Sequence, residues 1–131
     1  MKLKLLYLSA IAITVFLMLY EGQKGKLRMY ADSQSMKKEL LKEMPIGSLI
    51  HDAKKIMEEN GFNCEMMENT AFSENRDGDP QKPIVHEGED FLFCNKRETV
   101  GVLVIREWDV IIVRKGDVVS DVFVNVGLTG T

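Results

Sequence analysis

The apolar pattern of this chain changes period at Gly61, from about 3.6 residues to 2, and that change restricts the fold to helices followed by a sheet. Upstream, Asp32, Ser33 and Ser35 offer N-caps for a helix through Glu43, with Met36, Leu40, Leu41 and Met44 on one face. Pro45 ends it. A second helix is expected with Ser48 as its cap, Asp52 in the first turn and Gly61 at the left-handed position after Asn60. Its stripe is Leu49, Ile50, Ala53, Ile56 and Met57, on which Phe62 folds back.

Downstream, Phe62, Cys64 and Met66 alternate with Asn63 and Glu65, as in a half-buried strand. Asn69 to Gly88 carries turn formers, charges, Pro80 and Pro83, and reads as a long exposed loop. Strand character resumes at Phe91 to Asn95. It continues over Val100 to Arg114, where Trp108, Val110 and Ile112 share a face and Gly101 marks a bulge or the true start. Lys115-Gly116-Asp117 makes a tight hairpin connection to a last strand, Val118 to Val126.

The N-terminus sets a second constraint. Lys2 and Lys4 precede an apolar run from Leu5 to Tyr20, longer than the roughly 7–15 residues of a secretory core and shorter than a comfortable span of about 17–25. Leu17, Met18, Leu19 and Tyr20 are too bulky for a signal-peptidase site, and no cysteine follows for lipidation. The reading is an uncleaved signal anchor over residues 1–22, a linker over 23–32 and an extracytoplasmic domain over 33–131. A cleaved, secreted form is the alternative. The basic start holds the N-terminus in the cytoplasm, although Lys24, Lys26 and Arg28 compete with it. The expected place is a bacterial inner membrane, single-pass, with the domain in the periplasm or outside the cell. In full, the expected class is α+β: an N-terminal membrane helix, then two helices packed on a four-stranded antiparallel sheet as a two-layer sandwich.

Only two cysteines occur, Cys64 and Cys94, both beyond the apolar run. In an oxidising compartment they form a candidate disulfide closing a loop of about thirty residues, worth about 3–4 kcal/mol in the chain-entropy model. The alternative is a pair of buried free thiols.

A formal charge of −3 gives no basic surface for nucleic acid, so no nucleic-acid partner is expected. Acid is concentrated, however: Glu58, Glu59, Glu65, Glu68, Glu74, Asp77, Asp79, Glu87, Glu89 and Asp90 stand against Arg76 and Lys82. Such a flank is a solvated face, or meets a basic partner or a cation. Histidine is limited to His51 and His86, and neither lies in local register with a cysteine, so no Cys–His nucleophile is expected. The four residues lack the paired spacing of a structural zinc site. Ser73 to Asp79 has part of a calcium-loop pattern, but Ile84 stands where the bidentate Glu belongs. No cofactor, metal site or catalytic residue is expected.

Pro45-Ile46-Gly47-Ser48, Gly61-Phe62-x-Cys64, Phe91-x-Phe93-Cys94 and Arg106-x-Trp108-x-Val110 together resemble small exported bacterial proteins of unknown function. The layout over Pro45 to Val126 is also similar to the modules of outer-membrane assembly lipoproteins and β-lactamase-inhibitor proteins. The resemblance implies a two-layer module that binds another protein across its sheet or loops, without catalysis, and carries over no functional residue. The missing lipidation cysteine departs from the lipoprotein members and leaves outer-membrane placement unsupported. The expected function is a membrane-tethered extracytoplasmic protein-interaction module, an envelope accessory or an inhibitor/immunity-type protein. The alternatives are a small-ligand sensor domain with a pocket between helices and sheet, and a thiol-dependent enzyme.

Overall fold

A computed structural model of the chain describes residues 26–74 and 84–130. Helix α1 spans Ser33–Glu43 and α2 spans Ile50–Glu59; strands β1 (Asn63–Glu74), β2 (Ile84–Gly101), β3 (Val104–Lys115) and β4 (Val118–Gly130) follow. The strands form one antiparallel meander in the order β1-β2-β3-β4.

Asp32 caps α1, its carboxylate accepting from the Ser35 amide at 2.8 Å. Met36, Leu40 and Met44 recur at four-residue spacing and are fully buried. The helix ends where Pro45 cannot continue it. The start of α2 differs from expectation. Leu49 holds the N-cap position, and the Ser48 hydroxyl donates to the Pro45 carbonyl at 2.6 Å instead of capping the helix. The sheet does the capping: Ile50 N–H donates to the Asp117 carbonyl, while Gly47 and Ser48 exchange hydrogen bonds with Val119, each at 2.8 Å. A strand's main chain thus satisfies a helix donor that a side chain satisfies in isolated helices.

The main core lies between the helices and one face of the sheet. Met36, Leu40 and Met57 from the helices meet Leu92, Cys94, Trp108, Val110, Ile112 and Val122 from the strands. Residues 26–31, within the segment read as a linker, lie on this core. Leu27 is buried, its N–H donates to Asn60 Oδ1 at 2.8 Å, and the Tyr30 carbonyl accepts from the Trp108 indole.

The expected class, a membrane helix ahead of a two-layer sandwich, is corrected. The molecule is mostly one four-stranded sheet, with strands of 12, 18, 12 and 13 residues and helices of only 11 and 10. Among the described residues no helix is long and apolar enough to cross a membrane. Both helices are amphipathic, with lysine and glutamate on their outer sides, because one face of each must meet water. The segment assigned to a membrane helix, residues 1–22, lies outside the described residues.

The sheet dominates because the span read as a loop, Asn69 to Gly88, is largely paired strand. Thr70 pairs with Glu89, Phe72 with His86 and Glu74 with Ile84. Register shifts between Met67 and Thr70 and between Thr70 and Phe72, with positive φ at Asn69 and Gly88, break the two-residue alternation while the pairing continues. Residues 75–83 lie outside the described residues, and with them most of the partial calcium-loop pattern.

Candidate functional site

Side chains alternate across a sheet, so the strand registers sort the residues of this one into two faces. One face holds the helices. On the other, Glu65, Phe93, Ile111 and Phe123 stand in one row across all four strands. The adjoining row is wholly polar: Asn63, Asn95, Asp109 and Asn125. Arg97 and Glu107 come next.

The apolar part of this face is closed by the chain itself. The β1–β2 arm bends at its bulges and lays Phe72 and His86 beside Phe123, which belongs to the far edge strand. The Phe72 ring stacks on His86 at 4.7 Å and meets Phe91 and Phe123, each at 5.2 Å. Phe72, Phe91, Ile111 and Val113 form a second buried cluster, with Met67, Phe93 and Phe123 packed against it and half-buried. Glu74 accepts from or pairs with His86 Nε2 at 3.2 Å, and Asn69 N–H donates to Asp90 at 2.9 Å, which ties the arm near the last described pair of its strands and at its bend.

The polar part stays open, and its groups are pre-oriented. The Asn95 amide donates one hydrogen to Glu107 Oε1 at 2.7 Å and the other to Asp109 Oδ1 at 2.6 Å. Arg97 Nε lies 3.3 Å from Glu107 Oε1. With Glu65 and Asp121 exposed on the same face, four carboxylates stand against Arg97 and, at the β4 edge, Lys37, whose Nζ lies 5.5 Å from the centre of the Phe123 ring. A carboxylate only accepts hydrogen bonds, so this array suits a partner rich in N–H donors and positive charge.

The sequence-level candidates fall elsewhere. Cys64 and Cys94 form the expected disulfide, with Cα atoms 4.2 Å apart at directly paired positions of β1 and β2. The bridge is on the helix side, with Cys94 fully buried, whereas His86 packs on Phe123 on the opposite face. His51 is exposed on the outer side of α2, over a shallow depression with Lys54, Lys55, Glu58 and Glu59. No Cys–His pair is assembled, both thiols are held in the bridge, and among the described residues no group of three or more ligands could hold a metal. Where a sensor reading needs a pocket, between helices and sheet, Met36, Leu40, Met57, Trp108 and Ile112 are each fully buried against their neighbours.

Sequence reasoning missed the uncovered face. Its signal is the second parity of the strands: Phe91, Phe93 and Asn95 on β2, with Asp109, Ile111 and Val113 on β3, are too apolar for a solvent face and too polar for a core. No protein family, curated protein or solved structure matches the chain. The resemblance to lipoprotein and inhibitor-protein modules therefore rests on the quoted sequence residues alone.

Proposed function

We propose that this domain is a non-catalytic protein-interaction module that works in an oxidising, extracytoplasmic compartment. It grips a basic segment of another protein on the uncovered sheet face. The observation that carries the reading is the polar row with its neighbour Glu107, where one asparagine fixes two carboxylates beside an aromatic cluster that the arm closes. A side chain without a structural task has no need of such fixation, and orienting acceptors in advance lowers the entropy cost of binding. Phe93 supplies a half-buried aromatic edge for an apolar anchor next to the charged contacts. The disulfide supports the compartment, since such bridges persist mainly outside the cytosol. The basic start and apolar run of residues 1–20 support export.

The test is site-specific photo-crosslinking in cells with the full-length chain. A probe at Asn125, on the uncovered face, should capture one discrete protein adduct, identifiable by mass spectrometry. The Asp109→Lys substitution in that probe chain should abolish it. A probe at His51, on the outer side of α2, should capture none. Equal capture from both positions, or an adduct indifferent to Asp109→Lys, would overturn the reading.

A further inference from the structure

Beyond the row in which Lys96 pairs with Trp108, the sheet leaves its helical layer. β1 begins only at the Asn63–Asn95 pair, so β2, β3 and β4 run on as a three-stranded tongue. Its tip is apolar and bare: Val102 is 90% exposed, Leu103 66%, Leu128 62% and Val100 42%. The turn itself is unusual. Gly101 pairs with Val104, and the two residues between them are Val102 and Leu103, the latter at φ +62°. Two-residue hairpin turns draw on Asn, Asp and Gly, which adopt positive φ readily, and a bulky residue there is an outlier. A valine-leucine apex is therefore not explained by turn-making, and side chains this exposed add little to the core.

The described chain enters at the same end. Leu27 N–H is held by the Asn60 side chain, the Asn60 carbonyl by Lys96, and the Tyr30 carbonyl by Trp108. From that row to the tip, Trp108 to Leu103, is five residues, or about 17 Å of strand. From Lys26 to Tyr20, the last residue of the apolar run, is six residues of sequence, with an extended reach of about 20 Å. The chain between Lys26 and the apolar run is thus comparable in length to the tongue from that row to its tip. Lys26 and Arg28 are exposed at this end and Arg106 lies on the tongue, where anionic headgroups would meet them; the tongue's carboxylates, Glu98 and Glu107, pair with Lys96 and Arg97.

From these observations we propose that the β2–β3 tip is a lipid-contact element, dipping Val102 and Leu103 into the surface of the bilayer. The contact goes beyond the protein-binding reading and is independent of it: it fixes the orientation of the domain at the surface, with the β1–β2 arm directed away.

The test uses the full-length chain in vesicles of phosphatidylcholine and phosphatidylglycerol, with one added tryptophan and lipids brominated on their acyl chains. The Trp108 signal of the unsubstituted chain, from a buried indole, is subtracted. Val102→Trp should emit at shorter wavelength and lose at least half its intensity to brominated lipid. Val85→Trp, at an apolar site 57% exposed on the β1–β2 arm, should keep aqueous emission and resist quenching. Quenching of Val102→Trp no greater than that of Val85→Trp would overturn the proposal. A concentration-dependent blue shift of Val102→Trp in detergent without vesicles would overturn it too, because the tip would then be covered by a second copy.

Discussion

The indole N–H of Trp108 donates to the carbonyl of Tyr30 at 2.7 Å across 78 residues of sequence, joining the segment ahead of the first helix to the third strand. Trp108 is also among the largest fully buried side chains. Replacing it by phenylalanine removes the donor, leaves the half-buried Tyr30 carbonyl without that partner and opens a void. Trp108→Phe should cost about 2–3 kcal/mol. Denaturant unfolding should show the midpoint falling with an unchanged slope.

The disulfide makes a second, separable contribution. Titration of the native, unreduced protein with a thiol reagent should find no reactive thiol. The double substitution Cys64→Ala with Cys94→Ala should lose about 2–4 kcal/mol of stability while keeping the sheet, as read by thermal unfolding and far-ultraviolet circular dichroism.

Gly116 isolates a backbone effect. Its φ is +61°, and a Cβ there would meet nothing within 4 Å. Gly116→Ala should therefore cost about 1 kcal/mol through conformation alone, and Gly116→Asn should recover most of it because Asn tolerates the left-handed region. Equal stability of all three proteins would contradict the observed turn.

How much of this was legible beforehand depended on which interactions are local. Met36, Leu40 and Met44 on one helical face, and Trp108, Val110 and Ile112 on one strand face, follow from period alone, and these residues are buried. Directly paired cysteines were readable as a candidate bridge because little else in the chain competes for them. Ser48 was misread because its rival as a helix cap, the Asp117 carbonyl, lies far away in sequence. The β1–β2 arm was misread because bulges at Met67 and Thr70 scramble the alternation that marks a strand. The uncovered face was missed for a related reason: a row such as Asn63, Asn95, Asp109 and Asn125 exists only once four registers are fixed.

The arm's second cluster should behave as a local unit. Phe72→Ala removes the ring that touches His86, Phe91 and Phe123. Hydrogen exchange should accelerate over residues 70–74 and 84–89, while amides of Val110, Ile112 and Val122 stay protected. Uniform loss of protection would mean that the arm and main core unfold together.

Asp32 gives the pH dependence its sign. The hydrogen bond from the Ser35 amide holds its carboxyl below the ordinary aspartate value. A group depressed on folding stabilises the protein above its unfolded pKa, and that stabilisation is lost as pH falls through the folded value. Thermal scans should show the wild type losing more stability than Asp32→Asn as pH falls through that acidic range, with the difference constant near neutrality.

Carboxyl labelling reads whether the uncovered sheet face is occupied in cells. Intact cells and purified protein are treated with a water-soluble carbodiimide and an amine, and modification is read per residue. If a basic partner covers that face, Glu65, Asp109 and Asp121 should be labelled several-fold less in cells than in the purified protein, while Asp52 and Glu58 on α2 should label equally in both. Equal labelling of all five carboxylates in the two samples would mean that no basic partner covers this face.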